Sequence, residues 1–92
     1  MLKLQTTTQF RKDRNLCKKR GLNMVLLDEI IKLLLEEKSL PEKNHDHKLS
    51  GDYTGFRECH IQPNWLLVYW VDGERLILTA ARTGTHSDLF KK

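Results

Sequence analysis

Residues 56–82, FRECHIQPNWLLVYWVDGERLILTAAR, decide the fold. Side chains alternate across a strand, so residues 56–61 read as one strand with two different faces. Phe56, Glu58 and His60 share one face, and Arg57, Cys59 and Ile61 share the other. Cys59 and Ile61 suit a core beneath helices, which turns Glu58 and His60 toward the opposite face. Gln62-Pro63-Asn64 reads as a turn. Trp65–Val71 (WLLVYWV) is aromatic and aliphatic throughout, as a central strand requires. Asp72-Gly73 predicts a two-residue hairpin turn, and residues 75–82 return as the next strand.

The remaining elements lie upstream. LKLQTT at 2–7 alternates apolar and polar residues and predicts a short strand. Thr8 suits the N-cap of a helix over 9–20, which Lys18, Lys19, Arg20 and then Gly21 close. Asn23 caps a second helix. Its stripe Leu27, Ile30, Ile31 and Leu34 follows the i, i+3, i+4, i+7 pattern of a helix laid on a sheet. Residues 39–48 read as a polar connector. Thr83-Gly84 ends the last strand, and Thr85 with Asp88 predicts a capping box for a final helical turn. The resulting order is β-α-α-β-β-β, an α+β fold with two helices on one face of a mainly antiparallel sheet and the other face open.

The chain has 92 residues, enough for one domain spanning 1–92. A domain this small offers a shallow surface site rather than a deep cavity. Charged residues make up 30% and the mean hydropathy is −0.54, which excludes membrane and disordered classes. No apolar run approaches the ~18 residues that span a bilayer. The net charge of +4 is unevenly placed: residues 1–20 hold seven basic groups and one acid, Asp13. Such a cluster suits a polyanion such as nucleic acid and equally suits a solvated helix face. Cys17 and Cys59 form no CxxC, and the N-terminus has no leader pattern, so a cytoplasmic protein with reduced thiols is expected.

Histidine exchanges protons near neutrality, so the placement of the four histidines matters. Glu58 and His60 share a strand face. Taken alone, such a pair is more often a solvated ion pair than an acid–base pair. In the tail RTGTHSDLF, Arg82, His86 and Phe90 fall close together, offering a guanidinium for phosphate, an imidazole for a proton and a ring for a base. His45 and His47 form an H-x-H without a second cluster at ligand spacing, so no metal site and no cofactor is expected.

Four stretches together resemble the YafQ branch of the RelE/ParE superfamily of bacterial toxins. They are DH-x-L-x-G at 46–51, G-F-R-E-x-H at 55–60, P-x-W at 63–65 and R-x-G-T-H-x-x-L-F at 82–90. The likeness runs over nearly the whole chain, including the basic first helix. It implies the toxin of a type II toxin–antitoxin pair: an mRNA endoribonuclease, often acting on the ribosome, silenced by a cognate antitoxin. Matched motif positions place the functional residues at His47, Glu58, His60, Trp65, Arg82, His86 and Phe90. Relatives often carry Asp in the step before the tryptophan. Here it is Asn64, an amide that hydrogen-bonds but cannot carry a proton as an acid does.

The mechanism expected from these residues is metal-independent cleavage through the ribose 2′-OH. His60 or Glu58 acts as base, His86 as acid, and Arg82 holds the developing charge. Asn64, Trp65 and Phe90 contact the RNA, with Trp65 and Phe90 as stacking or pocket-wall rings. Lys18, Lys19 and Arg20 grip phosphates, or an acidic antitoxin. The rival readings are a ParE-like binding toxin acting on a protein such as gyrase, and a non-catalytic RNA-binding module.

Overall fold

The structure, a computed structural model, describes residues 1–90; Lys91 and Lys92 lie outside them. Its sheet has five strands: β1 (Lys3–Thr6), β2 (His47–Lys48), β3 (Arg57–Gln62), β4 (Trp65–Asp72) and β5 (Ile77–Gly84). Their spatial order is β1-β5-β4-β3-β2, so WLLVYWV is the central strand, as its uniform apolarity predicts. β1 runs parallel to β5, and the other pairs are antiparallel. β2, only two residues long, lies inside the stretch expected to be connector.

The helices are α1 (Thr8–Lys19), α2 (Met24–Leu35) and α3 (His86–Phe90). Thr7, one residue earlier than expected, caps α1 by accepting from the Phe10 amide. Gly21 takes the left-handed conformation (φ 86°) that closes α1, and the Leu22 amide reaches back to the Cys17 carbonyl. Asn23 caps α2, whose Leu27, Ile30, Ile31 and Leu34 are all buried. Those residues pack with Phe10, Cys17, Cys59, Trp65, Leu67, Tyr69 and Leu78 to form the main core.

Two expectations are corrected. The β4–β5 connection is not a two-residue turn: it runs over residues 73–76, with Leu76 rather than Gly73 at positive φ (57°). The Asp72 carboxylate accepts from the Glu74 and Arg75 amides and so holds the longer loop. The second sheet face is also not fully open. Leu66, Val68, Ala81 and Leu89 form a smaller core there, flanked by Leu49, Phe56 and Phe90. α3 and the loop before β3 therefore close part of that face, and the polar side chains gather at the uncovered end.

Candidate active site

β3 delivers its two polar residues as the alternation predicts. Glu58 and His60 pair in register with Val68 and Leu66, both members of the smaller core. Glu58 is only 5% exposed, and its Oε1 lies 3.4 Å from His60 Nε2. β2 lays His47 directly beside Glu58, with His47 Nε2 3.7 Å from the same oxygen. His86 opens α3, and its ring packs 5.6 Å from that of His60. A buried carboxylate thus sits among imidazoles contributed by three elements.

The ring orientations are fixed by the oxygens that the other nitrogens meet. A carbonyl only accepts, so His47 Nδ1 donates to the His45 carbonyl (2.6 Å) and His60 Nδ1 donates to the Pro63 carbonyl (3.2 Å). Asn64 settles His86 by the same logic. The His86 backbone amide donates to Asn64 Oδ1 at 3.3 Å, so the same oxygen accepts from His86 Nδ1 at 3.0 Å. Each of the three rings therefore commits Nδ1 to holding its position and leaves Nε2 for chemistry.

Arg82 is held by an acid that the charge count registers only as an exception. β1 leaves β5 at Thr6, paired with Ala80, and α1 covers the edge beyond. There Asp13, 8% exposed, accepts from Arg82 Nε at 2.7 Å, from Arg82 Nη2 at 3.3 Å and from the Thr83 amide at 3.2 Å. The carboxylate takes over from the missing strand and aims the guanidinium. Its hydrogen bond raises the Arg82 pKa, so the group stays cationic. Nη1 is left without a protein partner among the described residues.

The other expected residues divide. Phe90 is half-buried, with its ring 5.2 Å from Tyr53 and 6.5 Å from His86, so it borders the site. Leu89, not Phe90, is the buried anchor of the tail. Trp65 is corrected as a stacking ring: it is 2% exposed and donates through Nε1 to Thr83 Oγ1 at 2.9 Å within the core. It remains a wall of a cleft of about 280 Å³, also lined by Arg20, Asn64 and Thr85, that sets the end of α1 against the site. Lys18 and Lys19 are exposed there. Arg20 is instead committed to Asp88, with contacts of 2.6 and 3.3 Å. Arg20 and the Thr85 amide hold the Asp88 carboxyl down at about 2.

Sequence reading missed Tyr53, whose hydroxyl donates to the Leu89 carbonyl and whose ring meets Phe56 and Phe90. His45, weighed in the sequence only as half of an H-x-H, packs its ring 5.4 Å from that of His60. Both cysteines are buried free thiols, and burial pushes Cys59 up to about 12, so neither is poised as a nucleophile. The H-x-H pair does not form the cluster suited to a metal. Glu58, His60 and His86 do, each offering one ligand atom within 4.8 Å of the others.

Residues 2–91 match the family model for the bacterial toxin of type II toxin–antitoxin systems, YafQ. The chain belongs to the YafQ toxin family. The mRNA interferase toxin YafQ of Escherichia coli strain K12 is 35% identical over 88 residues, covering 95% of this chain and 94% of the relative. A copper-bound mutant toxin from Helicobacter pylori superposes with a TM-score of 0.92 at 39% identity, covering 98% of this chain and all of the other. YafQ in the E. coli DinJ–YafQ complex gives 0.89 at 34% identity, covering 98% of this chain and 99% of the other. The α+β fold of this chain is therefore that of the YafQ structures. No helix among the described residues is long and apolar enough to cross a membrane.

Proposed function

We propose that this type II toxin is an mRNA endoribonuclease, that residues 1–92 act as one toxin domain, and that Glu58, His60 and His86 move the protons of cleavage. The observation that carries this reading is that all three imidazoles anchor Nδ1, while His47 and His60 set Nε2 at the buried Glu58 carboxylate and His86 packs against His60. The ribose 2′-OH attacks the adjacent phosphorus. The Glu58–His60 pair takes the hydroxyl proton as a unit: the proton goes onto His60 Nε2, and the Glu58 carboxylate 3.4 Å away stabilises the imidazolium that forms. His86 Nε2 delivers a proton to the leaving 5′-oxygen. Arg82 Nη1 meets the crowded phosphate, and His47 in its doubly protonated form steadies the Glu58 charge. No metal takes part in this scheme.

The E. coli relative's name supports mRNA as substrate, and the DinJ–YafQ complex supports a cognate antitoxin as partner. Cutting mRNA, on the ribosome, places the work in the bacterial cytoplasm. A gyrase-directed binding toxin or a passive RNA-binding module has no use for three anchored imidazoles around one carboxylate. Mapping message ends after incubation with and without ribosomes separates these readings. His86 is exposed, so His86→Ala leaves the fold intact and lowers cleavage by about 10²–10⁴-fold. A folded His86→Ala protein that cleaves at the wild-type rate refutes the assignment.

A second reading concerns inhibition. Glu58, His60 and His86 fit a borderline ion such as Cu(II), and the H. pylori toxin was crystallised with copper. An ion held there occupies one nitrogen of each ring and the carboxylate and so blocks proton transfer. Cu(II) is expected to inhibit cleavage and EDTA to restore it, while EDTA alone leaves the metal-free enzyme active. A strict requirement for added metal contradicts both readings.

A further inference from the structure

We infer that Asp46 is a positioning residue for cleavage: its carboxylate, clamped by Arg57 and Tyr69 on the helix side of the sheet, fixes the carbonyl that orients His47 on the site side. The inference rests on the part proposed for His47 beside Glu58. Asp46 and Arg57 belong to the stretches 46–51 and 55–60, yet neither has a part in the proton transfers.

The clamp starts from strand pairing. Arg57 and Tyr69 lie opposite each other in register across β3 and β4, on the side that Tyr69 shares with the main core. Both reach the same carboxylate. The Tyr69 hydroxyl donates to Asp46 Oδ1 at 2.6 Å. Arg57 donates from Nε to Oδ1 at 3.3 Å and from Nη2 to Oδ2 at 3.2 Å. The hydrogen bonds to Asp46 raise the Arg57 pKa, and burial followed by Asp46 raises that of the Tyr69 phenol, so cation and donor both persist at neutral pH. A bidentate, charge-assisted hold of this kind fixes geometry better than a single neutral hydrogen bond does.

What the clamp holds is the segment that delivers His47. β2 is two residues long and secures little by itself. His45, just before Asp46, takes the left-handed conformation (φ 45°, ψ 48°), which a non-glycine residue keeps only where its neighbours hold it. Asn44 supplies one hold, with its Nδ2 donating to the His60 carbonyl at 2.7 Å, and Asp46 supplies the other. The His45 carbonyl belongs to the planar peptide unit that joins His45 to Asp46, so its direction follows the anchoring of Asp46. That carbonyl accepts from His47 Nδ1 at 2.6 Å, and the ring then sets Nε2 3.7 Å from Glu58 Oε1. A change on the helix side of the sheet is therefore felt at the carboxylate on the other side.

The test measures Tm, kcat and KM for RNA cleavage by the full-length toxin carrying Asp46→Asn, Tyr69→Phe or His47→Ala, and by each of the first two combined with His47→Ala. Asp46→Asn keeps an acceptor for Tyr69 but turns an amide NH2 toward Arg57, so the clamp loosens while the fold is expected to hold. Tyr69→Phe keeps the core packed and removes one bond of the clamp, so it carries the test if Asp46→Asn unfolds. Asp46→Asn and His47→Ala are each expected to lower kcat by roughly tenfold with KM little changed, and Tyr69→Phe by roughly threefold, all below the ~10²-fold that a displaced group can cost. Added to His47→Ala, either clamp change is expected to cost nothing further. Losses that multiply in the double variants overturn the inference, because Asp46 then acts independently of His47. A wild-type kcat in folded Asp46→Asn overturns it, as does a loss confined to KM. Wild-type cleavage by His47→Ala overturns it together with the part proposed for His47, and leaves Glu58, His60 and His86 in place. Failure of the wild type to cleave any RNA strikes the nuclease reading itself, a result distinct from these.

Discussion

Asp13 offers the sharpest test of how the fold supports the site. Its carboxylate joins α1 to the stretch of β5 that β1 leaves unpaired, through the Thr83 amide and through two nitrogens of Arg82. Gln9 of α1 adds a fourth contact at 3.0 Å. Asp13→Ala leaves the Thr83 amide without its acceptor at a residue only 1% exposed, where water has little access. An unsatisfied buried amide costs about 1–3 kcal/mol, and breaking a buried charge pair costs about 3–5 kcal/mol. These contributions overlap, and Arg82 is partly hydrated, so the lower end, about 3 kcal/mol, is expected. For a domain of this size each kcal/mol moves Tm by about 4–8 °C, so Tm falls by at least about 12 °C.

Asp13→Asn separates the two roles. The amide oxygen still accepts from Thr83, so stability falls by only about 1 kcal/mol. Arg82 loses its charged partner and with it the orientation of its guanidinium, and a displaced positioning group costs up to about 10²-fold in rate. Thermal unfolding and RNA cleavage measured on Asp13→Asn, Arg82→Ala and the double variant complete a cycle. The double variant should cleave no more slowly than Arg82→Ala alone. An Asp13→Ala protein with wild-type Tm refutes the edge argument. Full cleavage by Asp13→Asn, with Arg82→Ala impaired, shows that Arg82 does not depend on Asp13.

Three further outcomes are expected. Lys18→Glu with Lys19→Glu should weaken RNA binding and reduce the slope of log affinity against log salt by about 1.4, since each single-strand phosphate contact contributes about 0.7; an unchanged slope assigns the lysines elsewhere. Arg20 is left out of that variant because Glu there would repel Asp88. The depressed Asp88 pKa contributes stability that is present above its unfolded value near 4 and is lost as pH falls toward about 2, so acid unfolding should begin at lower pH in the wild type than in Arg20→Gln. Asn64→Asp puts a carboxylate against His86 Nδ1, favours the protonated ring and should move the high-pH limb of the cleavage profile up by roughly one unit; an identical profile means His86 is not the acid.

Much of this architecture is legible in the sequence because each piece is set by local periodicity. The stripe at Leu27, Ile30, Ile31 and Leu34 is fully buried, and the alternation in RECHIQ separates Cys59 from Glu58 and His60 as it must. The reciprocal Thr85–Asp88 capping box forms with the shorter acid, at 2.9 and 3.1 Å. Features set by tertiary contact are not legible. β2 is two residues long and exists because His47 and Lys48 pair with Glu58 and Arg57, so no local pattern announces it. The aromatic content of Trp65 suggested a platform, but its place in a strand whose odd-numbered residues face the helices buries it.

Asp13 shows why a charge count and a site differ. In a basic segment, one acid looks like dilution of the positive charge. Its helical phase says more: Phe10, Asp13 and Cys17 fall on one buried stripe, so the acid faces the sheet while the lysines face water. The same distinction governs the histidines. Composition supplies imidazoles, but two of the acceptors that choose their working nitrogens are backbone carbonyls, at His45 and Pro63, which exist only once the chain turns there. The third is the Asn64 side chain, and there the residue type matters. An amide oxygen fixes Nδ1–H without adding negative charge, so it orients His86 while leaving its proton easier to release than a carboxylate would. For a group that must give a proton to a leaving oxygen, that substitution favours donation over retention, and Asn64 is consistent with His86 as the acid.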